Sequence, residues 1–267
     1  MIRLLGRSFA QARDVVTAAA MLLAGVQIVI VGQATEVQRT QSFGVLASLL
    51  PAFLQRGLGN RTMLLASFKG TVSFGYFHPV VCLVVALVAM NFTTEIAHEI
   101  ESGLVDLELA RPVPRYWLVV RSIVLAGAFA VAAVLLMGIG TSLGALIFGA
   151  ERKDLPDLAL RVRLLLNLLA VALCFSGYAL FVASLSKRWS TAFTTAALTA
   201  VLAYLVDFLA IAWRPMQLLD RISPFHYYPA LAVIGGDAPM LRNLLVLFVS
   251  AALFVAAGAW QFQRRDL

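Results

Sequence analysis

The stretch LLLNLLAVALCFSGYALFVASL, residues 164–185, decides the fold class of this chain. It contains no charged residue, and a helix needs roughly 20 apolar residues to cross a hydrocarbon core about 30 Å thick. Inside lipid every backbone amide must find its hydrogen-bond partner within the chain, so a run of this length is predicted to be a helix rather than a strand.

Similar apolar runs lie on both sides of this stretch. They cover residues 15–31, 72–92, 118–148, 192–213 and 244–262. With the first stretch they predict an all-α membrane protein of six transmembrane helices, in which residues 1–267 form a single transmembrane domain.

The composition excludes a soluble globular domain. Hydrophobic residues make up 61% of the chain and charged residues 13%, and the mean hydropathy is +0.89. The net charge of +7 does not indicate nucleic acid, because the 21 basic residues are scattered over every loop. Cys82 and Cys174 each lie within an apolar run, where a thiol behaves as a small buried hydrophobe, so neither a disulfide nor a metal site is predicted.

The N-terminus resembles a signal peptide in some respects. Arg3, Arg7 and Arg13 precede an apolar run, and Gly32 and Ala34 are small residues at a cleavage-like spacing. The run of residues 15–31 is longer than the usual signal-peptide core of about 7 to 15 residues. An uncleaved first span is therefore favoured over a cleaved leader.

The basic residues give the expected orientation. Six spans put both termini on one side of the membrane. With the termini in the cytoplasm, the inner segments hold ten of the 21 Lys and Arg residues, but they are shorter and end in the compact clusters Lys187-Arg188 and Arg264-Arg265. Cytoplasmic termini are therefore predicted.

Residues 95–115, between the second and third spans, form the most informative polar segment. Ile96, Ile100, Leu104 and Leu107 recur at helical spacing, the other face is acidic, and Pro112 ends the pattern. Lipid-surface helices usually display Lys and Arg, so a protein partner explains this amphipathic helix better. A solvated connection without a partner is the alternative.

Three motifs carry a family resemblance. The first is Glu101-Ser-Gly-Leu-Val-Asp-Leu-Glu-Leu-Ala-Arg-Pro-Val-Pro-Arg115, the second is Ile222-Ser-Pro-Phe-His-Tyr-Tyr228, and the third is Phe262-Gln-Arg-Arg-Asp266. Because these three motifs occur in this order across six spans, the chain resembles the type-2 permease family of ATP-binding-cassette exporters. Pro114 departs from the Ser or Thr that is usual in the first motif.

The resemblance implies a transport complex in a bacterial or archaeal plasma membrane. Two such permease subunits form the path, and two ATPase subunits dock on a cytoplasmic coupling helix between the second and third spans. Short re-entrant helices between the fifth and sixth spans cap the path. The coupling candidates are then Glu99, Glu101, Gly103, Asp106, Arg111, Pro112 and Arg115.

ATP chemistry is expected on a partner subunit. A phosphate-binding P-loop needs Gly-Lys-Ser/Thr, and the three lysines, Lys69, Lys153 and Lys187, lie in other contexts. We therefore expect no catalytic residue and no cofactor in this chain, with ATP and Mg²⁺ bound by the partner. An amphipathic or hydrophobic export substrate is the expectation.

Polar residues near the fifth span are candidates for the substrate path or an outer gate. Asp207 is the only acid in that span, and an intramembrane carboxylate indicates function by default. Arg214 lies two helical turns further on, and the alternative is an acid near the headgroups that pairs with Arg214 or water. Phe225, His226 and Tyr227 of the second motif are the other candidates.

Two further features of the spans predict local structure. His78-Pro79 predicts a kink in the second span, because proline removes a helix hydrogen bond. Gly140 and Gly144 in the third span have the spacing that lets two helices approach closely.

Two rival functions fit six spans. An intramembrane serine protease needs Gly-x-Ser-Gly and a histidine in a later span, but Cys174-Phe-Ser-Gly177 supplies only the last two positions and His226 falls in a loop. The second rival is a non-transporting subunit that transmits ATPase-driven movement to an envelope assembly process.

Overall fold

In the computed structural model, all regular secondary structure in the described part of the chain is helical, with no strand there. The described residues are 2–49, 51, 52, 55, 59, 61–103, 114–151, 153–211 and 213–264. Within them, six helical segments are long and apolar enough to cross a membrane, which confirms the predicted fold class.

These segments are named spans here. They are span 1 (Ile2–Arg39), span 2 (Phe68–Phe77 followed by Pro79–Glu101), span 3 (Tyr116–Phe148), span 4 (Leu158–Leu185), span 5 (Trp189–Ala210) and span 6 (Met240–Arg264). Short helices Phe43–Ser48 and Arg61–Leu65 lie between spans 1 and 2.

Residues 213–239, named the cap segment here, connect spans 5 and 6. Its helical turns are Met216–Leu219, Asp220–Ile222, Pro224–Tyr227 and Ala230–Gly235. The opposite end of the bundle, where spans 2, 4 and 6 end and spans 3 and 5 begin, is named the terminal face.

Span 2 is broken rather than bent. His78 leaves the helical conformation with φ −55° and ψ 133°, and Pro79 begins the second helix. The His78 ring caps that helix, because Nδ1 accepts a hydrogen bond of 3.3 Å from the amide of Val80. The kink predicted at His78-Pro79 is therefore a complete interruption of the helix.

Span 4 lies at the centre of the bundle and packs against spans 2, 3, 5 and 6. Leu164 and Leu168 of span 4 are fully buried with Met90 of span 2 and Phe129 of span 3. Leucines on the outer surfaces, such as Leu146 and Leu253, are exposed, as expected of helices that face lipid.

Small residues bring spans 1 and 3 into close contact. A Cβ atom at Gly140 would lie 2.6 Å from the carbonyl oxygen of Ala24, and one at Gly144 would lie 2.9 Å from Cβ of Val31. Both distances are too short for any side chain, so the predicted close approach at this glycine pair is confirmed.

Candidate functional site

The terminal face carries the described part of the predicted coupling segment. Residues 95–101 continue span 2 and do not form a separate short helix as predicted, because nothing after Phe92 interrupts the hydrogen-bond ladder. The helix ends at Glu101, and Gly103 follows with φ +71°, a left-handed conformation that glycine adopts without strain. Asp106, Arg111 and Pro112 lie outside the described residues.

A buried ion pair joins the end of span 2 to the beginning of span 3. The Arg121 guanidinium in the second turn of span 3 donates a hydrogen bond to Glu99 Oε1 near the end of span 2. Glu99 is 9% exposed and Arg121 is 8% exposed. Because a buried charge is stable only with its partner in place, the pair fixes the relative position of the two helix ends.

The Glu99–Arg121 pair was missed at the sequence level. The signal in the sequence is that Arg121 lies inside the apolar run 118–148, where an arginine indicates a buried acidic partner. Arg115, a coupling candidate, is half-buried just before span 3 begins.

Glu101 connects the same segment to span 5. Its Oε2 accepts a 2.9 Å hydrogen bond from the backbone amide of Trp189, the first residue of span 5. The first amides of a helix have no partner within the helix, and negative charge is favourable there. Glu101 therefore links the end of span 2 to the start of span 5.

The cap segment holds the second group of predicted residues. Span 5 ends at Ala210, three residues after Asp207. Arg214 lies beyond the helix and is exposed, so the prediction that it follows Asp207 on one helical face is wrong. The residue beside Asp207 is instead Asp220 of the cap segment, whose side chain lies within hydrogen-bonding reach.

Asp220 was not predicted as a site residue. It is 9% exposed, and its Oδ2 lies in a short contact with Nδ1 of His226. Its other oxygen, Oδ1, is buried with no hydrogen-bond donor among the described residues. The signal available in the sequence is the spacing of six residues between Asp220 and His226, the histidine of the second motif.

The second motif is folded by its own residues. The Ser223 side chain accepts a hydrogen bond of 3.2 Å from the amide of Phe225, and Pro224 begins the helical turn that follows. The Ser223 hydroxyl also donates a 2.9 Å hydrogen bond to the carbonyl of Ala203. Ala203 lies about 10 Å deeper along span 5 than its last residue, so the motif packs on the side of the helix rather than above it.

Aromatic side chains complete the contact between the cap segment and the spans. The Phe225 ring is 4% exposed and packs between Tyr204 of span 5 and Phe175 of span 4, with ring centroids 5.3 Å away in each case. The Tyr228 hydroxyl donates a 3.2 Å hydrogen bond to the Tyr76 carbonyl beside the break in span 2. Burial raises the pKa of the Tyr228 phenol well above its ordinary value, so this hydroxyl remains a donor.

The candidate residues thus fall into two groups at opposite ends of the bundle. Among the described residues, no three His, Cys, Asp or Glu side chains are arranged to hold a metal ion. His226 and Tyr227 are partly exposed, and the Tyr227 hydroxyl donates to the carbonyl of Arg221 within the cap segment itself.

Comparison with known protein families gives a match over most of the chain. Residues 64–263, well over half of the chain, match the family model described as "Multidrug efflux system permease Rv1217c, C-terminal domain". No curated protein and no solved structure matches the chain.

Proposed function

The chain belongs to the family of multidrug efflux system permeases described by the Rv1217c C-terminal domain, and from that premise we propose that it works as the permease subunit of an ATP-binding-cassette exporter. In this proposal a separate subunit hydrolyses ATP, and two permease subunits form the path. Export is of an amphipathic or hydrophobic compound, the chain resides in the plasma membrane, and its termini are cytoplasmic.

The hydrogen bond between Glu101 and Trp189 carries the proposal. It connects the segment that resembles a coupling helix to span 5, while the Glu99–Arg121 pair connects the same segment to spans 2 and 3. A partner that pushes on residues 102–115 therefore acts on three membrane helices through two polar contacts. This arrangement suits a protein that converts movement at one face into repacking of its membrane helices.

The cap segment supports a role at the opposite end of the path. Its second motif packs against the side of span 5 at the level of Ala203 and against the break in span 2. We propose that it forms the re-entrant cap of the path, since non-helical backbone at membrane depth is tolerated where protein surrounds it.

Co-purification with the cognate ATPase tests the coupling assignment. Gly103→Arg and Asp106→Arg should each abolish capture of the ATPase, because a bulky cation would stand where the partner docks. Asp237→Arg adds the same side chain at an exposed position of the cap segment and should leave capture intact. Full capture and activity with both coupling variants would overturn the assignment.

A second measurement separates transport from the assembly role. Stimulation of the complex's ATPase by individual amphipathic compounds, with vesicle accumulation of the same compounds, is the expected result. An intact, active complex that no compound stimulates, but that an envelope assembly process requires, would support the non-transporting alternative.

A further inference from the structure

Two carboxyl groups from different elements meet at the end of span 5. Asp207 belongs to the last turns of the span, and Asp220 belongs to the cap segment; their side chains lie within hydrogen-bonding reach of each other. The two residues are separated by the whole first part of the cap segment, so their meeting is a property of the fold rather than of local sequence.

Hydrogen bonding within the cluster leaves one position open. Nδ1 of His226 contacts Oδ2 of Asp220, whereas Oδ1 of Asp220 is buried with no hydrogen-bond donor in the described part of the chain. An ionised carboxyl group can only accept hydrogen bonds. Two ionised carboxyl groups within hydrogen-bonding reach therefore repel each other. A proton on one of them converts the repulsion into an O–H···O hydrogen bond.

Among the described residues, neither carboxyl group forms an ion pair with Lys or Arg, and the basic side chain in contact with the pair is His226, which meets Asp220. Span 2 presents the Cys82 thiol and span 5 presents the Tyr204 phenol. Span 4 contributes Tyr178, whose hydroxyl contacts Thr199 deeper in the bundle. The helix Met216–Leu219 has no titratable side chain, and Arg221 beside Asp220 is exposed.

We propose that Asp207, Asp220 and His226 form a proton-binding site in which one proton, shared by the two carboxyl groups, holds the cap segment against span 5. Loss of the proton leaves two negative charges facing each other across this contact. The contacts that dock the second motif, Ser223 on Ala203 and Phe225 on Tyr204, lie directly beside the pair and would loosen. The site depends on the fold and not on the efflux role.

Infrared spectroscopy of the chain in lipid nanodiscs tests for the proton. The wild-type chain should show a protonated-carboxyl stretch at neutral pH that disappears at alkaline pH. Asp207→Asn should remove this band. Asp220→Asn should make it disappear at a lower pH, because the neighbouring negative charge is gone. Asp237→Asn, an exposed acid of the same segment, is the control and should change nothing.

Hydrogen exchange tests whether loss of the proton loosens the cap segment from span 5. At alkaline pH, amides of residues 220–228 should exchange several-fold faster in the wild type than in Asp207→Asn, while at acidic pH the two should be equal. Comparison at the same pH removes the intrinsic pH dependence of exchange. A wild-type chain with no protonated-carboxyl band at neutral pH, or equal exchange in both chains at every pH, would overturn the proposal.

Discussion

Glu101 at the end of span 2 accepts a hydrogen bond from the backbone amide of Trp189, the first residue of span 5, over 2.9 Å. The two residues are 88 positions apart in the chain. Within the terminal face, this contact links the end of span 2 directly to the start of span 5.

Glu101→Ala should weaken the start of span 5 without unfolding the bundle. The carboxylate is exposed, and an exposed anion at a helix N-terminus contributes only about 0.3–1 kcal/mol. We therefore expect a small loss of thermal stability in nanodiscs but a marked loss of compound-stimulated ATPase activity in the complex. Glu95→Ala on the same helix is the control. If both variants keep full stimulation, the contact does not transmit movement.

The buried pair should behave differently from a surface pair. Glu99→Ala leaves Arg121 without this carboxylate in a site where the guanidinium is 8% exposed, and breaking a buried ion pair costs about 3–5 kcal/mol. Replacing both residues with methionine should recover most of that loss. Glu151→Ala removes the partner of the exposed Lys153 and should not change unfolding measurably. Equal effects of Glu99→Ala and Glu151→Ala would contradict this account.

Gly140→Ala should separate spans 1 and 3. The new Cβ atom would lie 2.6 Å from the Ala24 carbonyl oxygen, and overpacking of this kind costs about 1–3 kcal/mol. Gly25→Ala is the matched control, since no atom lies within 4 Å of its new Cβ. Thermal unfolding in nanodiscs should show a lower midpoint for the first variant only. Because alanine is a better helix former than glycine, helix propensity alone would raise both midpoints. An equal shift of the midpoint in both variants would therefore contradict the packing account.

Hydropathy was sufficient to predict the six spans, because the lipid solvent imposes one requirement on every segment that crosses it. It did not give their ends: span 1 runs from Ile2 to Arg39 although the apolar run covers only residues 15–31, since backbone hydrogen bonding continues into polar sequence. The same continuation explains why residues 95–101 belong to span 2.

The residues that contact the candidate site residues were harder to predict from the sequence. The resemblance indicated Glu99, Glu101 and Gly103, but the contact of Glu101 with Trp189 depends on how distant spans pack. Asp220 could not be predicted as a neighbour of Asp207, because the proline-rich loop that contains it has no helical or strand periodicity from which its path could be inferred. Asp207 is recognisable by its chemistry, but the alternative in which it pairs with Arg214 along one helical face requires a helix that continues beyond Ala210, where span 5 ends.

Adjacent tyrosines of the second motif allow a last comparison. The Tyr228 hydroxyl is buried and donates to the Tyr76 carbonyl beside the break in span 2, whereas the Tyr227 hydroxyl donates to Arg221 within the cap segment. Tyr228→Phe removes a contact between the cap segment and a span, so we expect a loss of about 0.5–1.5 kcal/mol in the free energy of unfolding. Tyr227→Phe removes a contact within the cap segment and leaves its docking unchanged. Hydrogen exchange should therefore increase across residues 220–235 in Tyr228→Phe and only near Arg221 in Tyr227→Phe. Identical exchange patterns would show that the hydroxyl of Tyr228 does not hold the cap segment on span 2.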